Sequence, residues 1–487
     1  MNLEELYTMN PWWYDRGNIE EDRNLRLFST KKVKFYPSFL RELADFEAGV
    51  YVLRGPRQVG KTTSIKLLIK NILEKRVNPE DILYLSAEVI KDRFELLETI
   101  RDFVQIRRRI SKKEKLYIFL DEATFIKEWQ FTVKYLVDTG IIDDSFVMVT
   151  GSSAYDLKLS AEKMPGRRGK GRDLVLLPTT FRDFLKARYD FSLDYNLLDL
   201  LEMEEMDLKK INFQVARFKT DLKIYMETGG LPEAINDFMD NGFIPDETLR
   251  AYTDLIFGDI EKFSKSRTVL KGVLNKLTDI VGQRISWNSF KDYVSEVEST
   301  RTLESYVEIL AFSFIVGILY FYDYSRRTIR PKKQKKFYPL DPIFLKIIET
   351  MSTRSVDVGH RIETVVFENL LKYSYDFSEG LNLTAGPYFW YSDRGNEIDF
   401  LITLNNKLIP IEVKYQNRIA KSDYFSLQKV FGRGILVTKD TIFRDRNVVG
   451  IPLEVFLLNI PVAGTILSGE LVPMVPDNVS IGSGMGP

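Results

Sequence analysis

A chain of 487 residues, 44% of them hydrophobic, is too long for one ordinary core and too apolar for disorder, so three or four globular units are expected. Its 69 basic and 69 acidic residues cancel, which excludes a global basic field and leaves any nucleic-acid contact to local patches. The sequence has no cysteine and one histidine, His360, which excludes disulfides and thiolate metal sites and argues against catalysis through a histidine base.

The first residues, with Glu4, Glu5 and the pair Trp12-Trp13, lack the charged-then-apolar layout of a signal peptide. The longest apolar run, residues 309–322, is about 14 residues, short of the roughly 20 that a membrane helix needs. A cytoplasmic protein with no membrane partner is expected, and the lack of cysteine fits a reducing compartment.

Residues 50–53 read as a short buried strand, and residues 64–70 have helical spacing. Between them lies Gly55-Pro56-Arg57-Gln58-Val59-Gly60-Lys61-Thr62-Thr63, a Walker A pattern in strand-to-helix context. Such a loop turns backbone N–H groups and a helix N-terminus toward phosphates. Lys61 is expected to reach the β- and γ-phosphates of ATP, and the Thr62 hydroxyl to ligate Mg²⁺. About 60 residues on, Leu116-Tyr117-Ile118-Phe119-Leu120-Asp121-Glu122 is an apolar strand ending in two acids. Asp121 is assigned to the metal and Glu122 to activation of the attacking water. Residues 146–150 form another strand, with Gly151, Ser152 and Ser153 at its tip; Ser152 is a candidate γ-phosphate sensor and, compatibly, a helix cap. The basic loop of residues 165–172 offers Arg167 as an arginine finger acting on a neighbouring subunit, or else a solvated loop, before a strand at 173–177.

These segments, with residues 176–184 and Gly229-Gly230-Leu231-Pro232-Glu233-Ala234, resemble a prokaryotic family of AAA-type ATPases common in archaea and in anaerobic or thermophilic bacteria. The resemblance covers nearly the whole chain. It implies a five-stranded parallel sheet between helices, then a helical lid, then a winged helix. It also implies that residues 229–232 lie close to the nucleotide and couple its state to the lid.

Residues 181–265 carry a helical pattern with charged faces, broken at Gly229-Gly230-Leu231-Pro232, where glycine suits a C-cap and proline a first turn. Residues 270–341 read as two or three helices and a β-wing. Residues 302–310 are the candidate recognition helix, and residues 317–323 and 336–340 the wing strands. Between and into these strands, residues 326–336 hold seven basic residues in eleven, suited to phosphate backbone or, more blandly, to solubility. No aromatics interleave them, so backbone or shape recognition of DNA is expected rather than base reading.

Near the C-terminus, residues 396–402 and 408–415 read as paired strands joined by Asn405-Asn406-Lys407. Alternation lets Asp399, Glu412 and Lys414 converge. Two acids and a lysine suit Mg²⁺-dependent phosphodiester hydrolysis, with Asp399 and Glu412 holding the metal; a cross-strand ion pair would produce the same pattern. The spacing resembles the PD-(D/E)xK nuclease fold, in which Glu363 matches an extra N-terminal acid and Gln428 an accessory polar residue. His360 is read as a helix-start residue.

The expected organisation is a lead-in (1–45), an AAA-type ATPase core (46–180), a helical lid (181–265), a winged helix (266–345), a restriction-endonuclease-like α/β domain (350–460) and a tail (461–487). The expected function is an ATP- and Mg²⁺-dependent ATPase that moves or remodels duplex or branched DNA. It would act as a homo-oligomer, with a hexameric ring as one form, and the nuclease-like module either cuts or only binds. The rival is a nucleotide-gated signalling or defence switch whose C-terminal domain binds a protein.

Overall fold

Five short apolar runs line up as one parallel sheet in a computed structural model that describes residues 3–43, 46–110, 114–151, 169–263, 265–377 and 386–461. The strands are β1 (Gly49–Arg54), β2 (Ile82–Ser86), β3 (Leu116–Asp121), β4 (Ser145–Thr150) and β5 (Asp173–Val175). Their order is β2-β3-β4-β1-β5, and every neighbouring pair is parallel. Near-continuous apolar sequence is what a sheet covered on both faces requires. Val50, Val52, Ile118, Leu120, Val147 and Val149 pack on one side against the helices Arg93–Ile110 and Trp129–Asp138. The alternate residues Tyr51, Leu53, Tyr117, Phe119, Phe146 and Met148 pack on the other side with Ile65, Leu68 and Ile72 of the helix Lys61–Glu74.

The lead-in seals the β2 edge. The Asn10 side chain accepts from the Tyr84 N–H at 2.6 Å and donates to the Tyr84 carbonyl at 3.0 Å, imitating a neighbouring strand. The indoles of Trp12 and Trp13 donate to the Ile82 carbonyl at 3.2 and 2.8 Å. Backbone groups that would otherwise recruit another chain are thus used up.

After the sheet, Thr180 and Asp183 form a reciprocal capping box that starts the helix Phe181–Tyr189. Helices continue to Lys262, with Pro232 in the first turn of Pro232–Asn241. The helices Arg267–Ile280, Trp287–Asp292 and Thr300–Phe312 then lead into a hairpin of β6 (Val316–Asp323) and β8 (Lys335–Pro339), with β7 (Thr328–Ile329) near its tip.

The hairpin strands lie within a residue of their expected positions, but the hairpin is not the wing of a separate unit. β6 pairs with β8 over residues 316–320 and with β7 at Tyr322 and Asp323, which leaves its opposite edge open. That edge pairs in parallel with β9 (Tyr388–Tyr391) through Tyr320–Tyr388 and Phe321–Phe389. The hairpin thereby joins β10 (Glu397–Leu404), β11 (Lys407–Lys414), β12 (Gly434–Thr438), β13 (Phe443–Asp445) and β14 (Val448–Pro452) in one mixed sheet of nine strands. β10 and β11 are joined by two residues, Asn405 (φ 48°) and Asn406 (φ 58°), a left-handed pair that suits the twist of a tight hairpin; Lys407 already belongs to β11. The helix Val358–Phe377 packs across β8, β10 and β11.

Among the described residues no helix is long and apolar enough to cross a membrane. The apolar run 309–322 is divided between the helix Thr300–Phe312 and β6.

Replacing Asn10 with alanine strands the N–H and carbonyl of Tyr84 at the sheet edge. It is expected to cost about 1–3 kcal/mol, the penalty for buried polar groups left unpaired. Denaturant unfolding of the full chain checks this; an unchanged midpoint would show that the lead-in does not seal the sheet.

Candidate functional site

β1 ends at Arg54, and the chain turns through Gly55 (φ 153°), Gln58 (φ 59°) and Gly60 (φ 98°) into the helix that starts at Lys61. A Cβ on Gly55 would lie 2.1 Å from the Leu176 carbonyl oxygen, so the loop can pass only without a side chain there. Lys61 is buried and its ammonium donates to the carbonyls of Gly55 and Pro56 at 3.0 and 2.9 Å, inside the loop. Val59 is buried beneath it, while Arg57 through Thr63 all border a cavity of about 1550 Å³. That exceeds the roughly 300–1,000 Å³ of ordinary small-molecule pockets. The lining also includes Glu122, Leu176, Thr179, Pro232, Asn236 and, from the C-terminal helix Val358–Phe377, Lys372.

Asp121 sits at the end of β3, facing the loop. Its Oδ2 accepts from the Thr62 hydroxyl at 2.8 Å and the Tyr84 hydroxyl at 3.0 Å. Its Oδ1 accepts from the Thr150 hydroxyl and from the Glu122 N–H at 3.1 Å. Burial first, and then the Asp121 charge, push the Tyr84 phenol well above its usual range, so it stays a donor. Behind it, the buried Lys66 pairs with Asp22 at 3.2 Å and lies over the Tyr84 ring; burial lowers its pKa against the pull of Asp22. All the donors on Asp121 are uncharged, so its negative charge remains for a cation.

Thr62 and Asp121 supply adjacent hard oxygen donors, which fits Mg²⁺. These residues would hold the ion, and the ion would neutralise charge on the β- and γ-phosphates. Glu122, in a left-handed conformation (φ 56°), borders the same cavity. Ser152 and Arg167 lie outside the described residues. Thr150 and Tyr84 were missed. Thr150 stood in the strand tip already marked as facing the loop, whereas nothing local distinguishes Tyr84.

The second constellation gathers more groups than the sequence suggested. Period-two alternation sends Lys336 and Tyr338 of β8, Glu397 and Asp399 of β10, and Glu412 and Lys414 of β11 toward one region, joined by Glu363 from the helix above. The Lys336 ammonium lies 3.0 Å from Asp399 and 2.5 Å from Glu397. Asp399 uses its other oxygen to accept the Val413 N–H at 3.0 Å. Glu412 pairs with Lys414 at 2.5 Å, Arg284 pairs with Glu397 at 2.8 Å, and the Tyr338 hydroxyl donates to Glu363 at 2.8 Å.

Burial pushes Asp399 up, but the ammoniums of Lys336 and Lys414 overcome it and hold the carboxyl below its usual value. Burial and the Asp399 charge push Glu412 well up, and push Glu363 to about 7. Asp399 and Glu412 do not fit the expected Mg²⁺ site. Both oxygens of Asp399 are engaged, one of them by the fixed ammonium of Lys336. Gln428 is half-buried on the turn Leu427–Phe431, and His360 opens its helix paired with Asp357.

Two nucleic-acid expectations also change. Of the basic run, Arg326, Arg327, Lys332 and Lys333 are exposed at the hairpin tip and Arg330 pairs with Asp323 at 3.1 Å, but Lys335 and Lys336 are buried within β8. The helix Thr300–Phe312 buries Leu303, Tyr306, Val307 and Leu310, and its outer face carries the exposed Arg301, the half-buried Glu304 and the exposed Glu308, a net negative set that does not favour phosphate.

One polar joint links the cavity to the C-terminal sheet. Thr179 donates its N–H and its hydroxyl to the Gly230 carbonyl, each at 2.9 Å. The Gly230 N–H donates to Asp341 at 2.7 Å, and Asp341 also caps the helix Pro342–Ser352 through the Ile343 N–H at 2.7 Å. A Cβ on Gly229 (φ 63°) would lie 1.8 Å from an Asp341 oxygen, and one on Gly230 would lie 2.1 Å from the Thr179 carbonyl. Beside this joint, the Tyr225 hydroxyl bridges the Thr179 carbonyl and the buried Glu368 at 2.8 Å each.

Residues 47–185 match the family described as AAA domain. Residues 219–353 and 358–456 match two families described as domains of unknown function, DUF8612 and DUF4143. An uncharacterized protein of Methanocaldococcus jannaschii is 25% identical over 449 residues, covering 89% of this chain and 91% of that one. An uncharacterized protein of Haemophilus influenzae is 22% identical over 398 residues, covering 78% and 86%. Among solved structures, the Walker-type ATPase PABY2304 of Pyrococcus abyssi aligns over 68% of this chain and 95% of that one, at 14% identity and a TM-score of 0.36.

Burial raises Asp341 from 3.8 to about 7, against two backbone hydrogen bonds. The folded chain therefore keeps a proton that the unfolded chain releases near pH 4. The stability this group contributes is full below pH 4 and is lost as pH rises through about 7. Asp341→Asn is expected to remove that part of the pH dependence. It should also cost about 1–3 kcal/mol, because an amide NH₂ meets one of the two N–H donors. Denaturant unfolding of both proteins between pH 5 and 8 checks the sign; parallel curves would refute it.

Proposed function

We propose that the chain is an ATP-hydrolysing, DNA-binding motor or remodeller acting on duplex or branched DNA as a homo-oligomer. The single observation that carries the hydrolytic part is the Thr62–Asp121 contact at 2.8 Å, with Lys61 and Glu122 on the same cavity. In the proposed cycle, the loop N–H groups bind the phosphates and Lys61 leaves the Gly55 and Pro56 carbonyls for the β- and γ-phosphates. Glu122 orients the attacking water. Pro232, which ends the lid turn, and Lys372 line the same cavity, so binding and release would shift the elements joined at Asp341.

What supports DNA as the partner is the cluster of Arg326, Arg327, Lys332 and Lys333 at the exposed hairpin tip of an otherwise neutral chain. Contacts of this kind read the phosphate backbone and not base sequence.

ATPase rates with and without single-stranded, duplex and four-way-junction DNA test the reading. Lys61→Ala is expected to lower turnover by roughly 10²–10³-fold, as loss of a charge-stabilising donor does. Replacing Arg326, Arg327, Lys332 and Lys333 together by glutamate is expected to remove the DNA-stimulated component and to flatten its salt dependence by about 0.9 in log–log slope per contact. Turnover indifferent to every nucleic acid would replace this reading with the nucleotide-gated switch acting on a protein partner.

A further inference from the structure

The four acids around β10 and β11 are not an open metal site, because a cation from elsewhere in the chain already stands among them. Lys336 comes from β8, 63 residues before Asp399, and only 1% of its surface is exposed. Its ammonium lies between Asp399 and Glu397 at 3.0 and 2.5 Å. Glu397 is closed from its other side by Arg284 at 2.8 Å, and Asp399 by the Val413 N–H at 3.0 Å. The remaining acid of the expected pair, Glu412, turns one oxygen to Lys414 and buries the other with no hydrogen-bond partner.

Mg²⁺ requires near-octahedral oxygens at about 2.0–2.1 Å and several waters. A divalent ion at Asp399 would have to expel a buried ammonium or sit beside it, with like charges a few ångströms apart in a poorly screened interior. Expelling the ammonium strips the hairpin of its buried ion pair, which is strongly unfavourable.

We infer that Lys336 permanently takes the place of a divalent cation in the C-terminal centre, so that this module is metal-free and serves as a clasp holding the β6–β8 hairpin on the sheet. The hairpin tip and the C-terminal sheet then move as one body, and phosphodiester hydrolysis with Asp399 and Glu412 as metal ligands does not occur there. The inference stands whether or not DNA stimulates ATP turnover.

The test is Mn²⁺ binding to the nucleotide-free full chain, followed by electron paramagnetic resonance with and without four-way-junction DNA. Wild type and Asp399→Asn are expected to bind Mn²⁺ alike and to leave the DNA uncut. Lys336→Met, similar in shape and uncharged, is expected to acquire a site binding Mn²⁺ at least tenfold more tightly than wild type, lost again in Lys336→Met/Asp399→Asn. A wild-type Mn²⁺ site that Asp399→Asn abolishes, or a folded Lys336→Met with no new site, overturns the inference. Should Lys336→Met not fold, Glu412→Gln decides, since it leaves the Lys336–Asp399 pair intact: unchanged Mn²⁺ binding supports the clasp, and loss of a site overturns it.

Discussion

A carboxylate sealed from water, Asp341, accepts the Gly230 N–H on one side and caps the helix Pro342–Ser352 on the other. Through Gly230 it is joined to Thr179, which borders the nucleotide cavity; along the chain it directly follows β8, which carries Lys336. Neither Gly229 nor Gly230 has room for a side chain, so the lid turn cannot drift away from this contact without breaking it. A buried polar joint of this kind is held by the cost of leaving its groups unpaired. Tyr225, bridging Thr179 and Glu368, adds a parallel strut to the C-terminal helix. Elements that line the cavity are therefore mechanically continuous with the sheet that presents the basic hairpin.

The two acidic centres make an instructive pair. Asp121 and Asp399 are both buried aspartates on central strands. Asp121 is surrounded by hydroxyls and one backbone N–H, which orient the carboxylate without cancelling its charge. Asp399 has Lys336 against it and Lys414 close enough to lower its pKa. The first arrangement keeps an affinity for a mobile cation, and the second has satisfied it internally. Residue type alone does not separate them; the donors around each carboxylate do.

The phosphate loop, the acid-tipped strand β3 and the strands of the basic hairpin were legible because each depends on contiguous residues. A glycine pattern between a buried strand and a helix has few other uses, and a hydrophobic run of five or six residues bounded by turn signals has few other conformations. The Asn405-Asn406 hairpin belongs to the same class, misplaced by only one residue at Lys407. What failed was charge read as exposure. Lys335 and Lys336 looked like the end of a solvated basic run, yet strand alternation sends Lys335 toward Trp287 and Lys336 into the acidic centre. The helix Thr300–Phe312 was placed by its pattern, but its outward face carries Glu304 and Glu308 and is unsuited to DNA.

By itself the sequence determined that a triphosphate loop exists, which residues form it, and that a basic tip follows a run of helices, since backbone geometry and helix starts are encoded over a few adjacent positions. Only the tertiary structure decided that β6 extends into the C-terminal sheet, that Tyr84 and Thr150 orient Asp121, and that Lys336 neutralises Asp399 from 63 residues away. Charge compensation acts through space over a few ångströms, between side chains whose separation along the chain leaves no local trace.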